Sequence, residues 1–248
     1  MTQPLDGHRA LVTGAAQGLG EGIARSLWQA GASVVMCDIS EAVAETASSI
    51  SPTGERIDSR CFDVADEAAW EEITAELTGS GPIQILVNNA AMTVSKSVWD
   101  IPVEEWDRVM AVNLRGVFLG CRAVGKAMRE AGYGRIINLS SLAGQRGGVV
   151  AGAHYSASKA GILALSKCFA QELAPNGITV NCIAPAAIEG PMSRAMPQEK
   201  VQGLAKTIPV QRLGQDTEVG NAAVYLADPR NGYVTGTTMD VNGGVLMR

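Results

Sequence analysis

The sequence predicts an α/β fold, a doubly wound parallel sheet with helices on both faces. Three observations carry this. Short apolar runs recur without the alternation of a half-exposed strand, which implies burial on both faces. Stretches of helical periodicity separate them, so successive strands are joined by crossovers, which are almost always right-handed. A glycine-rich turn, Thr13-Gly14-Ala15-Ala16-Gln17-Gly18-Leu19-Gly20, joins the first run to the first helix.

Taken in order, residues 9–13 are a short apolar strand, and 18–30 have helical periodicity that stops at Gly31. A valine-rich strand at 33–37 leads to a helix at 41–50, ended by Pro52. A short strand at 60–62 precedes a helix at 66–77, and 83–87 is a continuous apolar strand. A long helical pattern spans 103–131, with a break near Asn113. The fifth strand is 135–139 and the next helix 155–173, stopped by Pro175-Asn176-Gly177. Strand 178–183, helix 217–227 and strand 237–241 close the chain. The stretch 184–215 carries Pro185, Pro191, Pro197 and Pro209. It is too long for an ordinary connection, and we expect a substrate lid there.

A chain of 248 residues without linker, repeat or low-complexity segment reads as one domain, 1–248. Hydrophobic residues at 46% and charged residues at 18% are a globular composition. The net charge of −5 argues against a nucleic-acid surface, which needs clustered Lys and Arg. No apolar stretch approaches the ~18 residues of a membrane span. Residues 1–7 lack the basic and apolar blocks of a signal peptide, so a cytoplasmic protein is expected. Cys37, Cys61, Cys121, Cys168 and Cys182 are scattered and read as buried, reduced thiols. With only His8 and His154 beside them, no metal site is expected.

Three features point to chemistry. Tyr155 and Lys159 stand one helical turn apart, on one face. A phenol is a poor base at neutral pH, and a neighbouring cation favours the phenolate, which would make Tyr155 a usable general acid or base. The glycine turn follows a strand and opens a helix, the context of a dinucleotide site. There Gly14 lets the chain turn, Gly18 lets backbone approach a diphosphate, and Gly20 lets helix pack on strand. Amide groups at the helix start would meet the phosphates. Asp38, at the end of the second strand, would accept from ribose hydroxyls and repel a 2′-phosphate. No cation occupies Ala15 to Gln17 or Ile39, so NAD is favoured over NADP. Asp38 also suits a helix cap beside Ser40. Asp63-Val64 suits the adenine edge, and Asp66 a helix cap.

Along essentially its whole length the chain resembles the short-chain dehydrogenase/reductase family. The motifs are Thr13-Gly14 with Gly18-Leu19-Gly20, Asp63-Val64, Asn88-Asn89-Ala90-Ala91, Asn113, Ser140-Ser141, Tyr155 with Lys159, and Pro185 followed by Ile188. The resemblance implies a single-domain Rossmann fold with a seven-stranded sheet, a homotetramer or dimer, and oxidation of alcohols or reduction of ketones. It implies a catalytic set of Asn113, Ser141, Tyr155 and Lys159. Tyr155 would exchange a proton with substrate, Lys159 would lower its pKa and bind the nicotinamide ribose, and Ser141 would hold the substrate oxygen. Asn113 would anchor through its backbone a water that links Lys159 to solvent. Cofactor contacts would come from Gly14, Gln17, Gly18, Leu19, Gly20, Asp38, Asp63, Val64, Asn89, Ala90, Tyr155, Lys159, Pro185 and Ile188. Three positions depart from the family: Ala91 and Ala186 stand where it commonly has glycine, and Gly190 replaces a threonine that bonds the carboxamide, a contact Ser193 could replace.

The candidate substrate pocket holds Met92, Thr93, Val94, Ala143, Gln145, Arg146, Val149, Val150, His154, Met192 and Met196, with Ser141 and Tyr155 at its base. Arg146 could hold an acidic group or simply be solvated. His154 could touch substrate or belong to the helix start. The expected activity is NAD-linked interconversion of a secondary alcohol (sugar, polyol or hydroxy acid) and its ketone. The alternatives are an NADPH-dependent 3-oxoacyl thioester reductase and a non-catalytic dinucleotide sensor.

Overall fold

The structure, a computed structural model, describes residues 3–148 and 151–248. Seven strands form one sheet: β1 (Arg9–Thr13), β2 (Ser33–Asp38), β3 (Ile57–Cys61), β4 (Ile85–Asn88), β5 (Gly134–Leu139), β6 (Ile178–Pro185) and β7 (Thr238–Val241). Their order is β3-β2-β1-β4-β5-β6-β7, with every pairing parallel.

The helices are α1 (Gly18–Gln29), α2 (Val43–Ile50), α3 (Glu67–Gly79), α4 (Val103–Met110), α5 (Gly116–Ala131), α6 (Leu142–Arg146), α7 (Ala153–Leu173), α8 (Pro191–Arg194), α9 (Gln198–Lys206) and α10 (Asp216–Ala227).

The strand sequences lack alternation because both faces are covered. On β1, Ala10 and Val12 join one core, with α1, α2 and α10, while Leu11 joins the other, with α3, α5 and α7. On β2 the same division separates Val34 and Met36 from Val35 and Cys37. Period-two geometry thus sends consecutive apolar residues into two separate interiors.

The structure moves several expected boundaries. β3 starts at Ile57 because 57–61 pairs in register with 34–38 of β2. Asp58 and Arg60, ion-paired at 2.7 Å on this sheet edge, hide the strand from an apolar count. β4 runs 85–88 rather than 83–87, since Asn88 joins the ladder opposite Asn138. β6 continues to Pro185, opposite Val241. The long helical pattern does break at Asn113: residues Ala111–Arg115 form a π-helical turn between α4 and α5. The stretch 184–215 is less irregular than expected, for it contains α8 and α9. Cys37, Cys121 and Cys182 are buried as expected, but Cys61 and Cys168 are exposed, one on the edge strand and one on the outer side of α7. No helix among the described residues is long and apolar enough to cross a membrane.

Trp70 anchors α3. It is 1% exposed, donates Nε1–H to the Val64 carbonyl at 3.0 Å and meets Phe62 edge-on at 5.0 Å. Trp70→Ala should therefore lower the unfolding free energy by about 3–5 kcal/mol in urea denaturation. Trp99→Ala, at a site 91% exposed, should change it by less than about 0.5 kcal/mol. Equal effects would refute this account of the α3 packing.

Candidate active site

The strand order reverses between β1 and β4, and ligands of open α/β sheets bind beyond the strand ends at such a point. Here the glycine turn leaves β1. Thr13 Oγ1 accepts from the backbone N–H groups of Asn89 and Ala90, each at 3.1 Å. Asn89 Nδ2 donates to the carbonyls of Thr13 and Gly14, each at 3.0 Å. A Cβ on Gly14, at φ +64°, would meet Ala90 Cα at 2.6 Å, and one on Gly20 would meet the Gly14 carbonyl oxygen at 2.0 Å. The expected reasons for both glycines hold: one turns the chain tightly, the other lets α1 press on the turn. No side chain caps the first turn of α1, so its amide donors fit a diphosphate.

Asp38 ends β2. Its Oδ2 accepts from Ala16 N–H and its Oδ1 from Ser40 N–H, both at 3.0 Å. The carboxylate therefore both steadies the glycine turn and caps the segment after β2, and carboxylate lone pairs remain for ribose hydroxyls. Asp63 Oδ1 accepts from Ala65 N–H at 2.8 Å, while Val64 packs beside Gly116. Asp66 is a cap, as expected, accepting from Ala68 and Ala69.

The second half of the site stands on β5 and α7. Ser141 caps α6, accepting from Ala143 N–H at 3.1 Å. Burial pushes the Tyr155 phenol above its ordinary pKa, and the Ser141 hydroxyl pulls the other way. Ser140 is structural: it donates to the Lys159 carbonyl at 2.8 Å and so ties α7 to the sheet.

Lys159 is 3% exposed, and burial depresses its pKa to about 8. Its Nζ donates to the Leu139 carbonyl at 2.6 Å and stands 5.7 Å from the centre of the Tyr155 ring. The charge faces the Tyr155 ring and a strand carbonyl. A desolvated ammonium needs a full hydrogen bond, and the end of β5 supplies it.

Asn113 is fully buried. Its Oδ1 accepts from Met92 N–H at 2.8 Å, and its Nδ2 donates to the Met92 carbonyl at 2.9 Å and to Ser158 Oγ at 3.1 Å. Ser158 Oγ in turn donates to the Tyr155 carbonyl at 2.7 Å. The side chain thus clamps the 89–96 segment against the Tyr155 helix, while its main chain lies in the π-helical turn.

Beyond β6, Ile188 pairs with Gly214 in a single bridge: Glu189 N–H donates to the Gly214 carbonyl at 2.8 Å, and Gly214 N–H to the Ala187 carbonyl at 3.0 Å. The Ser193 hydroxyl is occupied by the backbone of Gly190, at 2.9 and 3.0 Å, rather than offered outward. Pro191 Cδ lies 3.4 Å from where a Cβ on Gly18 would stand, so α8 leans over the glycine turn.

Among the expected pocket residues, Gln145 and His154 are engaged by distant partners. Arg146 is exposed at the end of α6. Gln145 turns away to Asp240, with Nε2 donating at 2.6 Å. His154 is fully buried and faces Glu105 at 3.3 Å, so the helix-start reading holds over the substrate reading. Thr93 is exposed and Met196 37% exposed. Val149 and Val150 lie outside the described residues.

Sequence reasoning missed Thr13, whose signal was a hydroxyl at the strand end just before the first glycine. It also missed Lys96 and Glu105, which pair at 2.8 Å and carry no local signal.

A family model described as enoyl-(acyl carrier protein) reductase matches residues 14–246. The chain is 39% identical to the 3-oxoacyl-(acyl-carrier-protein) reductase of Escherichia coli K12, over 98% of each chain. It is 37% identical to the 2-dehydro-3-deoxy-D-gluconate 5-dehydrogenase of Bacillus subtilis, over 98% of this chain and 96% of that one. A crystal structure of a 3-oxoacyl-(acyl-carrier protein) reductase with bound NAD, from Brucella melitensis, superposes with TM-score 0.90 at 35% identity, covering 100% of this chain and 94% of that one. With the glycine turn at the switch point and Ser141, Tyr155 and Lys159 gathered beside it, the chain belongs to the short-chain dehydrogenase/reductase family and is an oxidoreductase acting on CH–OH groups.

Proposed function

We propose that this protein interconverts a secondary alcohol and its ketone with NAD(H), with Tyr155 as general acid and base. The observation that carries this is the half-buried Tyr155 on α7, one turn from the buried Lys159, whose Nζ stands 5.7 Å from its ring centre, with the Ser141 hydroxyl favouring its phenolate. The residues that would hold the dinucleotide are the turn from Gly14 through Gln17, Gly18, Leu19 and Gly20, with Asp38 at the ribose and Asp63 and Val64 at the adenine. Asn89 and Ala90 would line the adenosine side, and Pro185 and Ile188 the nicotinamide. When bound, the nicotinamide accepts a hydride from the alcohol carbon or returns one to the ketone. In oxidation the Tyr155 phenolate takes the hydroxyl proton as the C–H bond breaks, and Ser141 holds the oxygen. Position and electrostatics are the protein's share.

The choice of NAD rests on Asp38 and on the lack of a cation at 15–17 and 39. A sugar, polyol or hydroxy acid is supported by the Bacillus relative, whose name specifies a deoxygluconate. The Escherichia relative favours a second reading, 3-oxoacyl thioester reduction. The stretch 184–215 is proposed as the lid, in a single domain that holds both sites. A homotetramer is supported by an apolar groove of about 810 Å³ between α4, the π-helical turn, α5 and α7, lined by Met110, Leu114, Phe118, Gly161, Ala164 and Leu165.

NADH formation with a panel of polyols, sugars, hydroxy acids and 3-hydroxyacyl thioesters, NAD+ and NADP+ side by side, tests the reading. Turnover should favour NAD+ and nearly vanish in Tyr155→Phe with NAD binding kept. Asp38→Ala should shift preference toward NADP+, and an unchanged ratio removes the cofactor argument.

Sedimentation should read a tetramer that Phe118→Glu breaks down; a monomeric parent would overturn the assembly.

Lys159 links chemistry to stability. Its folded pKa, about 8, lies below the ordinary 10.5, so burying the ammonium costs stability in full below pH 8. That cost is relieved as pH rises from about 8 toward 10.5. Without cofactor, the stability of the wild type relative to Lys159→Met should therefore rise across this window, by on the order of 3 kcal/mol. A flat difference would show that Lys159 is not destabilised by burial.

A further inference from the structure

We propose that His154 is a positioning residue for Tyr155, fixing the peptide that carries the phenol through a relay to Glu105 and Lys96. The proposal rests on Tyr155 being the proton-transfer group. His154 is fully buried at the start of α7, where N–H groups have no partner within the helix. Its Nδ1 accepts from the Tyr155 N–H at 2.9 Å. That nitrogen therefore carries no proton, and Nε2–H donates to Glu105 Oε1 on α4 at 3.3 Å. The other carboxylate oxygen of Glu105 receives Lys96 Nζ at 2.8 Å. Lys96 and His154 together hold the Glu105 carboxyl below its usual range, so it stays an acceptor at neutral pH.

The chain makes room for this ring. At Gly152, φ +81°, a Cβ would meet His154 Cε1 at 2.6 Å and the Val94 carbonyl at 2.8 Å. A serine would satisfy a helix-start N–H at less cost in buried polar surface. What the imidazole adds is reach, from the Tyr155 peptide to a second helix and to the segment after β4. On its other side the Tyr155 carbonyl is held by Ser158 and, through it, by Asn113. The peptide groups flanking Tyr155 are thus both fixed by side chains, and the relay through His154 is the one that no catalytic assignment uses.

The test compares His154→Ala and His154→Asn with wild type and Tyr155→Phe on the best alcohol of the panel, with NADH affinity read by fluorescence. Misplacing a reacting group by about 1 Å costs on the order of 10²-fold in rate, and His154→Ala should lose about that in kcat while keeping NADH affinity. His154→Asn, whose Oδ1 can accept the Tyr155 N–H, should recover most of the loss. Wild-type kcat in His154→Ala, no recovery in His154→Asn, or parallel loss of NADH affinity would each overturn the proposal. Should His154→Ala not fold, Glu105→Gln decides: a lower kcat at unchanged NADH affinity supports the relay, and an unchanged kcat overturns it. Turnover by Tyr155→Phe would instead overturn the reading of the reaction.

Discussion

The hydrogen bonds between Thr13 and the Asn89–Ala90 backbone are the joint on which the site depends. β1 and β4 are neighbours whose crossovers leave in opposite directions, so their ends part and open a crevice. A crevice needs its two lips held at a fixed separation. One hydroxyl accepting two backbone N–H groups, with Asn89 returning two bonds to the opposite lip, does this with side chains of little rotamer freedom. Gly14 then has to pass within van der Waals contact of Ala90, which leaves no room for a Cβ. The glycine pattern is in that sense a consequence of the joint as much as of any ligand.

Chemistry is placed on the other half of the sheet by burial. Lys159 is an ammonium with little solvent, held by a strand carbonyl and by the face of the Tyr155 ring. A fold selected for stability alone would put an apolar side chain there, since a buried charge without a paired anion costs more than it returns. The polar chain beneath it is satisfied throughout: Asn88 donates to Asn138, Asn138 to Ser166, and Cys182 to Ser166. The interior below Tyr155 thus combines a costly cation with a fully bonded network, which resists the relaxation that would let the cation escape.

Much of this was legible from residue patterns. The two-faced burial of β1 and β2 follows from unbroken apolar runs, and the break at Asn113 from one polar residue inside a long helical pattern. The tight turn at Gly14, the close approach at Gly20 and the cap at Asp66 were legible from local sequence. What stayed hidden depends on partners far along the chain. β3 is set by its register with β2, not by its own apolar content. The direction of the Lys159 ammonium is set by the end of β5, a partner that a helix-face argument does not reveal. Gln145 and His154 were read as pocket residues because they lie near Tyr155 in sequence. Asp240 and Glu105, 95 and 49 residues away, claim them instead.

The segment after β4 explains how the two half-sites act as one. It touches the glycine turn through Asn89, the π-helical turn through Met92 and Asn113, and α4 and α7 through Lys96, Glu105 and His154. These contacts span both sides of the switch point, and each is a hydrogen bond rather than an apolar contact. Apolar packing tolerates small slides at little cost, whereas hydrogen bonds fail steeply with distance and angle. The proposed hydride transfer requires a dinucleotide anchored at the glycine turn and an alcohol at Tyr155 to meet at near contact. A segment pinned by directional bonds to both halves is the structural element that meets that tolerance, and its three anchors all lie within the span from Asn89 to Lys96.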